Sequence, residues 1–146
     1  MSVKIDGDNN VKDVARYIIN YCHKNEIYIT NLKLQKLLYF CEALYLLGTD
    51  GKRACFSEDI YAWKYGPVVP SVYSEYKIFG SSEIPEMDEV GIKIKNRNYI
   101  DDALDSLAKK SSFYLVDLTH SQDPWIDAQN KSKPIISKNS IFKYFS

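Results

Sequence analysis

Only two histidines occur in 146 residues, and the three cysteines, Cys22, Cys41 and Cys55, show no C-x-x-C spacing. That is too little for a structural zinc site, and an odd number of thiols does not make a disulfide framework. Charge of one sign is missing as well, since Lys plus Arg number 19 and Asp plus Glu number 19. Phosphate-dominated binding ordinarily shows as a basic excess, so nucleic acid is disfavoured as a partner. The small clusters Lys109-Lys110 and Lys131/Lys133 read as solvated faces. No run approaches the ~18 apolar residues of a membrane span, and the polar start MSVKIDGDNN lacks the apolar stretch of a signal peptide. A cytoplasmic protein with reduced thiols and no membrane partner is expected. There is no P-loop, G-x-G-x-x-G, G-x-S-x-G or H-E-x-x-H motif. The expectation is therefore a protein that is not an enzyme, with no catalytic residues, no metal and no cofactor.

What is present in excess is aromatic: twelve Tyr, six Phe and two Trp, or 14% of the chain. Tyr combines a large ring with a polar tip and is enriched at protein interfaces, although most such rings in a small protein fill its core. The length is that of one domain, enough to bury about 70% of the unfolded surface without a disulfide or metal. With no repeat, linker or low-complexity tract, residues 1–146 read as a single domain whose first nine residues are a frayed lead-in.

Hydrophobic spacing is mainly helical. Asn10 caps a helix carrying Val11, Val14, Ala15, Ile18 and Cys22, and Asn25 ends it. Thr30 caps the strongest helix, whose stripe is Leu34, Leu37, Leu38, Cys41, Leu44 and Tyr45, with Gly48 placed to stop it. This is the expected central helix. Pro70 fits a helical first turn, followed by Val72, Tyr73, Tyr76 and Phe79 and closed by Gly80. Residues 81–90 read as an acidic loop. Asn98 and Ser112 are candidate caps of two later helices, and residues 137–145 read as a last short one. Residues 59–63 and 90–95 alternate weakly; paired, they would make a two-stranded accessory element. The fold class is thus mainly α, a compact single-domain helical fold with at most a small β element.

Three blocks stand out in order: Leu34-Gln35-Lys36-Leu37-Leu38-Tyr39-Phe40, then Ala62-Trp63-Lys64-Tyr65-Gly66-Pro67-Val68-Val69-Pro70, then Leu118-Thr119-His120 close to Asp123-Pro124-Trp125. Together they resemble the Panacea domain, the family that includes SocA-like antitoxins and phage-associated GepA-like proteins. The resemblance runs from about Val11 to Trp125. It implies a compact, mostly helical fold. It also implies the antitoxin of a type II toxin–antitoxin pair, neutralising a cognate protein toxin encoded by an adjacent gene. In some relatives the antitoxin delivers its toxin to an ATP-dependent protease. Some relatives also carry a separate helix-turn-helix domain, for which this chain has no room, so control of its own promoter is not expected.

Gln35, Lys36 and Tyr39 lie off the apolar stripe and read either as a solvated helix face or as part of an interface. Gly66, Pro67 and Pro70 dictate backbone shape, as do Asp123 and Pro124, and such a rigid turn would present Trp63, Lys64 and Tyr65 at low entropic cost. The expected partner-binding set is Gln35, Lys36, Tyr39, Trp63, Lys64, Tyr65, His120 and Trp125, with Trp125 packing on His120. Two rival readings stay open. One is a small-molecule-binding protein or an enzyme using a pocket around His120, with Asp117 or Asp123 as its carboxylate. The other is a nucleic-acid-binding accessory protein of a mobile element. A Cys41–His120 nucleophile pair is disfavoured, because Cys41 sits mid-stripe as a small hydrophobe.

Overall fold

The computed structural model describes residues 4–146. Its elements run β1 (Gly7–Asn9), α1 (Val11–Lys24), α2 (Asn31–Gly48), β2 (Ala54–Phe56), β3 (Ile60–Trp63), β4 (Gly66–Val68), α3 (Pro70–Tyr76), a 3₁₀ turn (Lys77–Phe79), α4 (Arg97–Leu107), α5 (Ser112–His120), α6 (Asp123–Gln129), β5 (Ile135–Ile136) and α7 (Lys138–Phe145). None of these helices is long and apolar enough to cross a membrane.

Helix α2 is the axis of the molecule. Its N-terminus is fixed by Thr30, whose side chain accepts from the Lys33 amide, a contact worth about 1 kcal/mol. Helices α1, α4, α5 and α7, with β2 and β4, pack around it. Leu34, Leu37, Leu38 and Leu46 are fully buried, each stabilising the fold by roughly 1.5–3 kcal/mol. A helix covered on every side buries its polar positions as well as its apolar stripe; here Gln35, Lys36, Tyr39 and Glu42 all go inside.

The strands depart from the sequence expectation. Residues 7–9 are not a frayed lead-in: they form β1, parallel to β2, with Gly7 opposite Ala54 and Asn9 opposite Phe56. They are held by Asp8, whose carboxylate accepts from Tyr45 Oη at 2.7 Å and Arg53 Nε at 2.8 Å. Residues 1–3 of the expected lead-in lie outside the described residues. Residues 59–63 do supply a strand, but its partners are not 90–95. Strand β3 pairs antiparallel with β4 through a two-residue loop and, on its other side, with β5. The 90–95 segment turns instead, because Gly91 takes φ +84° and the Ile92 amide closes back on the Glu89 carbonyl at 3.2 Å. Lys95 is held by Asn9, whose side chain accepts from the Lys95 amide at 2.7 Å.

The helix ends follow the sequence closely, with two shifts. Helix α4 starts two residues earlier than Asn98 suggested, at an Asn96 cap with φ +54°, a left-handed conformation that Asn tolerates. Asn96 Nδ2 donates to Tyr45 Oη at 3.0 Å, which ties that cap to α2. Helix α5 is capped by Ser111, not Ser112.

Candidate functional site: a groove beside the β3–β4 hairpin

The three sequence blocks converge on the β3–β4 hairpin. In the tight loop Trp63-Lys64-Tyr65-Gly66, the positive φ (+108°) falls on Gly66. A Cβ there would lie 2.7 Å from Lys36 Cε and 2.8 Å from Thr119 Oγ1. Gly66 is therefore required both by its dihedral and by the close approach of α2 and α5. Gln35 Oε1 accepts from the Val69 amide at 2.9 Å, and Gln35 Nε2 donates to Asn31 Oδ1 at 2.9 Å. Asn31 Nδ2 in turn donates to the Tyr73 carbonyl at 3.1 Å. Lys36 Nζ donates to the Pro67 carbonyl at 3.0 Å. On the opposite side Trp125 Nε1 donates to the Trp63 carbonyl at 2.8 Å. The second block is the hairpin, and the first and third supply side chains that satisfy or crowd its backbone, which is the physical link between the three.

Gln35, Lys36 and Tyr39 thus sit neither on a solvated helix face nor on an exposed interface: all three are buried. The central position of α2 forces this, and each finds a partner inside, Tyr39 Oη donating to Gln122 Oε1 at 2.9 Å. Lys36 is the exception in kind. Among the described residues it has no carboxylate partner, and the Pro67 carbonyl is its one hydrogen bond. Burial without a countercharge lowers its pKa from 10.5 to about 7.

His120 is half-buried and stacks on Trp125, centroids 4.0 Å apart and planes 28° from parallel, as its expected packing neighbour. Its Nε2 is buried and has no hydrogen-bond partner among the described residues. Asp123 and Pro124 open α6, with Pro124 in the first turn. Burial pushes the Cys41 and Cys55 thiols well above their ordinary range and the Cys22 thiol to about 11, so none is activated as a nucleophile. Among the described residues no group of three or more His, Cys, Asp or Glu is placed to hold a metal ion.

Alongside the hairpin runs a groove of about 540 Å³ between the start of α2, α3 with its 3₁₀ turn, and the start of α5. Gln35 and Lys36 line it from beneath, and Trp63, Lys64 and Tyr65 belong to its wall. Tyr39, His120 and Trp125 do not line it. The structure therefore brings five of the eight expected partner-binding residues to one groove; of the other three, Trp125 bonds the hairpin, His120 stacks on Trp125 and Tyr39 bonds Gln122.

Two aromatic residues of the groove escaped the sequence reading. Tyr73 meets Trp63 edge-to-face at 5.3 Å, and Phe113 stands at the first turn of α5. With Trp63 (38% exposed) and Tyr65 (59%), Tyr73 (38%) and Phe113 (76%) leave four large rings in solvent around one cleft. Helical spacing places Tyr73 in series with Val72 and Tyr76, which are buried. The available signal was positional: Phe113 precedes the buried run Leu115, Val116 and Thr119 and stands outside its face.

Among proteins of known family, the family described as Antitoxin SocA-like, Panacea domain, matches residues 34–126, a stretch that contains all three blocks. Antitoxin SocA of Caulobacter vibrioides (strain NA1000 / CB15N) is 36% identical over 75 residues, covering 51% of this chain and 39% of that relative. The matched region thus spans about two fifths of the relative's length. No solved structure matches the chain.

Proposed function

Because the chain belongs to the Antitoxin SocA-like, Panacea-domain family, we propose that it is the antitoxin of a type II pair, acting in the cytoplasm by binding a cognate toxin encoded by an adjacent gene. The observation that carries the reading is the groove, with four solvent-exposed aromatic rings on a scaffold fixed by buried hydrogen bonds. Pre-organised rings lose little entropy when covered and make good interface anchors. An affinity on the order of nanomolar, about −12 kcal/mol, is within reach of such a surface.

A binder is favoured over a catalyst. His120 is sandwiched against Trp125 rather than aligned by Asp117 or Asp123, and the thiols are protonated and buried. Direct neutralisation and delivery of the toxin to an ATP-dependent protease begin with the same contact. They separate in one measurement: delivery shortens the toxin's half-life in cells, whereas sequestration does not.

The test is co-expression with the neighbouring genes. A small protein that is toxic alone, harmless with this chain and recovered with it in fixed stoichiometry is the expected result. Trp63→Ala and Tyr65→Ala should each abolish protection while the purified variants keep cooperative thermal transitions. Absence of any toxic neighbour, or protection unaffected by both substitutions, would overturn the reading.

A further inference from the structure

The charge lining the groove is of one sign. Three lysines line it, Lys36 from beneath and Lys64 and Lys77 from its walls, and no Asp or Glu does. In a chain with equal numbers of acidic and basic residues, that separation has a chemical consequence. The carboxylate of α3, Glu75, is engaged by Lys12 of α1 at 3.2 Å, so it does not neutralise the cleft. Another cleft, beside α1, is different. Its Lys24 is paired with Glu89 at 2.8 Å, and both residues line it.

Beneath the groove the Lys36 ammonium is buried with one hydrogen bond to a carbonyl and no counterion among the described residues. A buried charge is screened far less than a surface one, and clefts with low-dielectric walls focus its field. Six of the other lining residues are apolar or aromatic, Leu32, Val68, Trp63, Tyr65, Tyr73 and Phe113, and the rest are uncharged, Asn31, Gln35 and Ser112 among them. Three lysines beside six apolar side chains fit neither a nucleic-acid backbone, which needs a longer basic track, nor a purely apolar helix face.

We infer that the groove receives an acidic segment of the partner protein, in which an aspartate or glutamate lies next to an aromatic or aliphatic side chain. The rings cover the apolar side chain, and the carboxylate lies over Lys36 between Lys64 and Lys77. This rests on the groove being the partner-binding face. It adds to that reading the chemistry of what enters, and it explains why a lysine with no counterion is kept at the groove's base: the partner supplies the counterion.

The experiment is selection from a randomised heptapeptide library displayed on phage, against the immobilised full-length protein, with a pool of random single-stranded oligonucleotides as competitor. Three proteins are compared: wild type, Lys64→Glu/Lys77→Glu, whose changes lie at the groove wall, and Lys36→Met. The expected result is enrichment of Asp or Glu beside an aromatic or aliphatic residue. Synthetic enriched peptides should bind the double charge reversal at least tenfold more weakly, and replacing their acidic residue by its amide should cost wild type a similar factor. Lys36→Met, checked by its melting transition, should keep the apolar preference and lose the acidic one.

Absence of acidic enrichment, equal binding of acid and amide peptides, or preferential capture of the oligonucleotides would overturn the inference. Failure of the antitoxin reading looks different: acidic peptides are selected, but no toxic neighbour depends on the groove. If instead protection depends on Trp63 and Tyr65 while peptide selection shows no acidic preference, the antitoxin reading survives and this inference does not.

Discussion

Six residues apart on α2, Lys36 and Glu42 are both buried charges that bond the backbone of a neighbouring strand, yet only one of them is complete. Glu42 accepts from the amides of Cys55 and Phe56 in β2 and pairs with Lys138 of α7, which also donates to the Phe56 carbonyl at 2.7 Å. Burial still pushes its carboxyl above the usual range, outweighing Lys138. Lys36 bonds one carbonyl, has no counterion among the described residues, and lies under a groove. The contrast separates structure from site. A buried charge whose partners are all internal fastens elements together. One left uncompensated beside an open cleft is, on the proposed reading, where a partner completes the fold.

The largest effect expected from breaking this comparison is on the closed side. Glu42→Ala strands two backbone amides of β2 and the ammonium of Lys138, and should cost about 3–5 kcal/mol, the usual penalty for opening a buried pair. Urea unfolding measures it. A loss below about 1 kcal/mol would mean that the α2–β2–α7 junction is held by packing alone. Next in size is Gly66→Ala on the open side. A positive φ costs an L-residue about 1–3 kcal/mol, and the new Cβ meets Lys36 and Thr119 at under 3 Å. A total of about 2–3 kcal/mol is expected. Placed in a Lys36→Ala background the same substitution should cost less, because one of its two collisions is gone, and the coupling read from the double-mutant cycle reports that contact.

The sequence carried the helices well because their signals are local. Asn10, Thr30 and Ser137 cap α1, α2 and α7 as their side chains suggest, and Pro70 opens α3. It carried the strands poorly because their partners are remote. Strand β1 is three residues long and owes its place to Asp8 meeting Tyr45 and Arg53, 37 and 45 positions away. The candidate site was half legible. Trp63, Lys64 and Tyr65 stand out because Gly66 and Pro67 mark a rigid turn, and they line the groove. Gln35, Lys36 and Tyr39 were placed outside because charged and amide residues between leucines normally face water. Nothing local reveals that Gln35 and Lys36 satisfy the hairpin backbone some thirty residues on, or that Tyr39 bonds Gln122.

Lys36→Met sharpens the comparison with a smaller effect and a definite sign. Its pKa of about 7 in the fold lies below the ordinary 10.5. Below pH 7 both states hold the proton, and the full penalty of burying the ammonium is felt. Between pH 7 and 10.5 the unfolded chain binds more protons than the folded one, so stability rises with pH, by at most about 1.4 kcal/mol per unit. The buried thiols oppose this from about pH 8.5, where they ionise only on unfolding. Wild type should therefore gain up to ~2 kcal/mol from pH 7 to 8.5, and Lys36→Met should lose that slope. Near pH 7 the variant should lie within about 1 kcal/mol of wild type, because replacing a buried charge by an apolar side chain of similar length is often neutral or stabilising. Parallel slopes in the two proteins would show that Lys36 keeps its charge in the fold throughout, through a counterion or water.

The smallest effect on stability is expected where the effect on binding is largest. Tyr65 is 59% exposed, and among the described residues its one ring contact is Lys64 Nζ at 5.5 Å, so Tyr65→Ala should change stability by no more than about 0.5 kcal/mol. As an exposed ring on a fixed hairpin it should nonetheless cost at least about 2 kcal/mol in partner affinity. Trp63→Ala is the harsher companion: its ring packs edge-to-face on Tyr73, and about 1 kcal/mol of stability should go with that pair. Its carbonyl, which holds Trp125, belongs to the backbone and stays in place. Thermal melts and partner titrations on the same two samples decide the matter. Rings that fasten the fold would move both quantities together, whereas rings that wait for a partner move the second and leave the first almost untouched.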